Sequence, residues 1–250
     1  MTAFLDLSST EILALGAITF VAGLVRGFSG FALSAMVMSS AVLILPPVAL
    51  IPICWWLEMA ASLLMVRGGW SDADRGVVKG LVIGSAIGVP LGLRLTTSVS
   101  VETSALIALT LLIVLAGTQL LRIRLAFLAT TSGLYGSGIL SGIVTGLASI
   151  GGMVVALYVL ARDAPARQMR GSLVLYLFFS SIVSMVTLLA YGVMDWTATW
   201  RGLAFALPTV LGVLLGQRLF TPKYEPYYKP FCLSLLIALA SIALARTLMT

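Results

Sequence analysis

Between positions 12 and 45 the chain carries one acidic or basic side chain, Arg26, and positions 125–161 carry none. A straight helix of either run would measure about 50 Å, against a bilayer hydrocarbon core of roughly 30 Å. Each run must therefore bend. Glycine concentrates where a bend is needed, at Gly23, Gly27 and Gly30 in the first run and at Gly142, Gly146, Gly151 and Gly152 in the second, and glycine permits both a break and close helix approach. Six further apolar runs, 48–66, 76–97, 104–121, 171–191, 202–220 and 231–249, have the length of one transmembrane helix. With 60% hydrophobic and 10% charged residues, the chain cannot build a solvated surface, which excludes a soluble enzyme or a nucleic-acid module.

The chain has no His, so His-based zinc sites, Ser-His dyads and His-ligated haem are excluded; no metal or cofactor is expected. Cys54 and Cys232 stand alone in apolar runs and read as small hydrophobes. The first eleven residues hold Asp6 and Glu11 but no base, unlike the start of a cleaved signal peptide, so the first apolar segment is expected to stay. Trp55, Trp56, Trp70, Trp196 and Trp200 read mostly as an interfacial belt.

Basic residues set the orientation. If both long runs turn back as hairpins, Arg67, Arg75, Lys79, Arg122, Arg124, Arg162, Arg167, Arg170, Arg218, Lys223 and Lys229 all fall on one side, eleven of fifteen bases, while Arg94, Arg201 and Arg246 fall opposite. That side is expected to be cytoplasmic, in a multi-pass cell-membrane protein with both termini external. A repeat underlies this plan: GVPLGLRL at 88–95 recurs as GVLLGQRL at 212–219, and the spacing Gly23, Gly27, Gly30 reappears as Gly142, Gly146, Ser149. We therefore expect an all-α polytopic membrane protein with one transmembrane domain over 1–250. Its two inverted-topology repeats, about 11–122 and 134–246, would each hold a Gly-broken helical hairpin and three transmembrane helices, with the broken tips near the midplane, where transporters bind substrate.

Two ionisable residues lie deep in these runs. Arg26 is costly there unless it faces protein, water or an anion; Gly27 and Gly30 beside it clear space for a ligand, and a helix restarting near Ser29 would offer free N–H groups. Glu58, mid-span, reads either as the counter-charge of Arg26 or as a proton carrier. Ser149, Gly151 and Gly152 would complete the site with backbone groups and a hydroxyl. The site so assembled suits a small anion; a homo-oligomer is compatible with the sequence and a nucleic-acid partner is not expected. Ser29 within Gly27-Phe28-Ser29-Gly30 superficially resembles a membrane serine protease motif, but without His it lacks an activating base, so no enzyme is expected.

The run Gly23-Leu-Val-Arg26-Gly27-Phe28-Ser29-Gly30-Phe31, the stretch 142–152 followed by Tyr158 and the basic loop to Arg170, and the doubled Gly-x-Arg-Leu ends together resemble the TauE/SafE family over nearly the whole chain. Ala32 stands where that family often has Gly, and Met153 where small residues or Pro are common. The resemblance implies ion-gradient-driven export of small sulfur-containing anions such as sulfite, thiosulfate or sulfonates. A channel or carrier for another small anion or metabolite stays open at this point.

Overall fold

The computed structural model describes residues 5–121, 130–162 and 165–219, with the isolated positions 234, 237, 238, 241, 244 and 245. Within these the chain forms nine α-helices and no strand. We number them α1 (Ser9–Ser29), α2 (Leu33–Ala41), α3 (Pro47–Asp72), α4 (Arg75–Ser98), α5 (Val101–Leu120), α6 (Thr131–Ala148), α7 (Gly151–Ala161), α8 (Ala166–Ala190) and α9 (Trp196–Arg218). Six of them, α1, α3, α4, α5, α8 and α9, are long and apolar enough to cross a membrane.

Five of the six single-span runs are thus single helices, extended by a few residues toward polar caps that hydropathy does not register. Asp74 caps α4 through Val77 N–H, and Asp195 caps α9 through Ala198 N–H. Ser8 and Glu11 form a reciprocal capping box at the start of α1. The run 231–249 falls outside the described residues apart from isolated positions, as do Arg122, Arg124, Lys223, Lys229, Arg246 and Cys232.

Both long runs break. Gly30 ends α1 at φ +80° and Ala32 opens α2 at φ +72°, while Ser149 ends α6 at φ +57°. Left-handed backbone cannot propagate a helix, so the chain changes direction there. The reversal in the second run is direct: the Ser141 hydroxyl donates to the Gly151 carbonyl at 2.7 Å, a distance impossible along a continuous helix of that separation.

Glycine seams fix which helices lie side by side. An added Cβ on Gly84 would sit 2.8 Å from Gly138 Cα, and one on Gly88 would sit 2.9 Å from Gly142 Cα, so α4 and α6 touch backbone to backbone and run parallel. In the same way, Cβ atoms on Gly23 and Gly27 would run into the Thr209 and Val213 carbonyls, and those on Gly212 and Gly216 into the Phe20 and Leu24 carbonyls. Helices α1 and α9 are therefore also parallel and close-packed, as small residues allow where lipid supplies no hydrophobic drive between helices.

The ends of the bundle follow. Helices α3 and α8 are antiparallel, since Trp55 Nε1 donates to Ser181 O at 2.7 Å while Gly69 abuts Val174 and Gly171 abuts Asp72. Arg201, near the start of α9, donates to Leu5 O at 2.7 Å and Asp6 O at 2.9 Å, which brings the starts of α1 and α9 to one end, and the neighbouring Gly202 abuts Trp56 in the first half of α3. At the opposite end Asp74 N donates to the Ser172 hydroxyl at 3.0 Å, and the Asp74 carboxylate lies 3.7 Å from Arg162 at the close of α7. The α1–α2 pair thus enters from the Arg201 end and returns to it, and α6–α7 does the same from the Asp74 end. Of the described bases, Arg67, Arg75, Lys79, Arg162, Arg170 and Arg218 gather toward the Asp74 end, with Arg94 and Arg201 opposite.

Two expectations need correction. The two breaks do not share one plane: the end of α1 reaches Arg170 toward the Asp74 end, and the end of α6 reaches Thr96, near the other end, whose hydroxyl donates to Leu147 O at 3.1 Å. Each first arm is nearly a full span and each second arm is short. Trp70, Trp196 and Trp200 are exposed as a belt requires, but Trp55 is buried, its indole N–H consumed by Ser181.

Candidate functional site

Arg26 lies in the last turn of α1 and is 0% exposed. A guanidinium so buried must have its donors taken. Nη1 donates to the Gly30 carbonyl across the helix break, Nη2 donates to Ser62 Oγ at 3.2 Å, and Nε faces Glu58 Oε2 at 3.4 Å. The break itself makes this arrangement available: the left-handed turn at Gly30 exposes a carbonyl that an unbroken helix would have used internally. Arg26 thus links α1 to two positions one turn apart on α3.

Glu58 is held differently at its two oxygens. Oε1 accepts from Ser34 N at 3.3 Å and from Ser34 Oγ at 2.9 Å, at the start of α2. Oε2 has the Arg26 charge beside it but no hydrogen bond. Unlike Arg26, Glu58 reaches open space. It lines a cleft of about 520 Å³, counting space open to solvent, between α3, α8, α4 and the α6–α7 break. On α3 the lining runs from Glu58 through Cys54 and Trp55 to Ile51, and on α8 from Leu177 through Ser180, Ser181 and Ser184 to Leu188. Both series climb toward the Arg201 end, so Glu58 forms the floor. It is the one charged group in the described lining.

Of the residues expected at the site, Glu58, Ser149 and Gly152 line this cleft; Arg26, Gly27, Ser29, Gly30 and Gly151 lie behind it. The Ser29 hydroxyl sits 2.8 Å from Val25 O and 2.7 Å from Phe31 O, tying the break together. Gly27 is buried in the α1–α9 seam, and its carbonyl accepts from Arg170 Nη2 at 2.9 Å. Gly151 gives α7 the room to fold back beside Thr145 and Ser141.

A second set of hydroxyls, on Ser141, Tyr176 and Ser180, joins the site without having been marked by charge or glycine spacing. Ser180 Oγ donates to Tyr176 OH at 3.4 Å, Tyr176 OH and Ser141 Oγ are 2.7 Å apart, and Ser141 donates to Gly151 O, a chain leading from the cleft wall to the second break. The spacing Ser180, Ser181, Ser184 inside an apolar run is a single helical face and was the available signal. Ser34 had none, since its role depends on where α2 restarts. At the close of α7, the hydroxyl of the buried Tyr158 accepts from Arg162 at 3.2 Å and, with Asp74, pushes the Arg162 pKa up. Among the described residues no cluster of three His, Cys, Asp or Glu could hold a metal.

A buried cation, a carboxylate between it and a hydroxyl-lined cleft, and helices broken beside both form an arrangement suited to a small polar solute within a membrane. No curated protein and no solved structure matches the chain. Residues 15–242 match the family model for the sulfite exporter TauE/SafE, most of the chain, and the protein belongs to that family.

Proposed function

We propose that the protein is a secondary transporter that exports small sulfur-containing or organic oxyanions, such as sulfite, thiosulfate or sulfonates, across the cell membrane by alternating access driven by an ion gradient. The observation that carries this reading is the Arg26–Glu58 pair: a fully buried guanidinium whose one charged partner faces a cleft. The anion takes the place of the Glu58 carboxylate beside Arg26. Gly27, Ser29 and Gly30 shape the turn that presents Arg26, and Ser149, Gly151 and Gly152 offer hydrogen bonds from the second break.

In this reading the halves are inverted repeats, with both termini external and the Asp74 end cytoplasmic. Two observations support it. The repeated strings fall on α4 and α9, and each packs in parallel on the broken helix of the other half. The two broken pairs also enter from opposite ends. The cleft would then be the external vestibule, with the contacts of Arg170 and Gly69 closing the cytoplasmic side.

The test is thermal stabilisation of the purified protein by a panel of sulfite, thiosulfate, methanesulfonate and simple carboxylates, followed by flux in proteoliposomes. Sulfur oxyanions should raise the midpoint and be transported. Arg26→Lys should lose most of both, because an ammonium lacks the planar fork that matches an oxyanion. Stabilisation by none of the panel would reject the reading.

A further inference from the structure

We infer that the anion and the Glu58 charge are alternative partners of Arg26, so that each monovalent anion binds together with one proton, taken up on Glu58 Oε2. This rests on the transport reading above but makes a separate claim about stoichiometry.

The geometry leaves little choice. Two guanidinium nitrogens of Arg26 are bonded to neutral groups, the third, Nε, faces Glu58 Oε2 without a hydrogen bond, and the cleft reaches Arg26 only past Glu58. An anion entering while Glu58 is ionised would set two negative charges against one positive in a site walled by apolar side chains such as Ile51, Val89 and Leu177 and by neutral hydroxyls, with no second cation among the described lining. Where the dielectric is low, that extra charge is strongly disfavoured. A proton on the carboxylate restores the balance: Glu58–COO⁻ gains H⁺ and becomes Glu58–COOH, Arg26 keeps its charge, and the anion supplies the compensating one. The net charge of the site is zero before and after.

The two oxygens also divide the roles. Oε1 is engaged by both Ser34 donors and can remain so in the acid form, while Oε2 has no hydrogen bond. The proton belongs on Oε2, where the resulting O–H can donate to the bound anion. Among the described residues no other titratable group competes for this role. Around Glu58, α1 presents Arg26 and α3 itself presents Cys54, while the described α8 lining holds only hydroxyl and apolar side chains, Tyr176 lying behind it bonded to Ser141. The described lining from α2, α4, α6 and α7 is hydroxyl or apolar, and α5 and α9 contribute none.

The experiment uses methanesulfonate, a monovalent anion with no proton to exchange, and the full-length protein in lipid nanodiscs. Affinity is followed by calorimetry over a pH series, and proton uptake by an indicator dye in weakly buffered solution. We expect one proton taken up per anion bound, and an apparent Kd that rises with pH, by up to about tenfold per unit for one coupled proton. Glu58→Gln, a permanent mimic of the acid, should bind with a Kd independent of pH and take up no proton, and Glu58→Asp should restore the uptake. Binding without proton uptake by the wild type would overturn the inference and leave the transport reading intact; so would proton uptake lost in Cys54→Ser but kept in Glu58→Gln. Failure to bind methanesulfonate while sulfite or thiosulfate still stabilises would overturn it as well, since a bound oxyanion would then not be replacing the carboxylate. No binding of any of them rejects both.

Discussion

Arg170 Nη2 and the Gly27 carbonyl meet at 2.9 Å although 143 residues separate them. The contact fastens the second turn of α8 to the end of α1, on the side of Glu58 away from the cleft. Arg170→Ala should cost about 1.5–3 kcal/mol, the range for a hydrogen bond made by a charged group. It should also open a path from the Asp74 end. Labelling of a Val174→Cys reporter, at a position 2% exposed in the native protein, should accelerate in the Arg170→Ala background; an unchanged rate would show that the contact is no seal.

Topology makes a second test. Ser100 caps α5 at the Arg201 end and Gln168 lies in the first turn of α8 at the Asp74 end. In intact cells Ser100→Cys should react with an impermeant maleimide, and Gln168→Cys should react only after the membrane is opened. The reverse pattern would invert the assignment.

Arg26 and Glu58 should be strongly coupled in stability. Removing one partner strands a buried charge, so Arg26→Ala should cost roughly 3–5 kcal/mol. Adding Glu58→Gln to that variant should recover part of the loss, and thermal melts of the four proteins give the coupling directly. Additive effects would mean that the 3.4 Å approach contributes nothing.

The seams predict unequal costs for one chemical change. Gly88→Ala pushes a methyl into the α6 backbone and Gly212→Ala pushes one into α1, whereas Gly16 has nothing within 4 Å of the added carbon. The first two should lose at least about 1–3 kcal/mol and express poorly. Gly16→Ala should match or slightly exceed the parent, because Ala is the better helix former.

Ala32 holds a left-handed backbone at φ +72° and is buried. Ala32→Gly should be tolerated within about 1 kcal/mol, the relief of strain offsetting the lost methyl. Ala32→Val should unfold the break, since a β-branched side chain resists that region most. Comparable melting midpoints for the Gly and Val variants would contradict this account.

The features legible in the sequence were those written in spacing and charge. Glycine spacing located the breaks at Gly30 and Ser149, and the distribution of bases such as Arg75, Arg162 and Arg201 anticipated how the described helices sort between the two ends. Arg26 and Glu58 stood out because intramembrane charge is expensive, and they are paired. Which of them faces the cleft was not legible: one helical turn separates Glu58 from Ser62, and that turn decides which side of the carboxylate the guanidinium occupies. Ser29 reads as a ligand by position but closes its own turn, and Tyr176, which no spacing or charge pattern marks, bridges Ser180 to Ser141. Hydroxyls resemble small apolar residues in a membrane helix until their neighbours are known.

The parallel seam between α1 and α9 also governs the order in which the protein can be assembled during synthesis. The Thr209 hydroxyl lies 3.4 Å from the Thr19 carbonyl, 190 residues earlier, and at ordinary translation rates that delay is roughly ten to forty seconds. Through that interval α1 is in the membrane with its glycine face bare, and until α3 follows, the charge on Arg26 has no counterpart. Insertion of the first helix therefore puts a charge into the membrane before its partner exists, a cost the membrane machinery must support. A truncated chain ending before α9 is expected to be a substrate for quality-control proteolysis, however complete its first half.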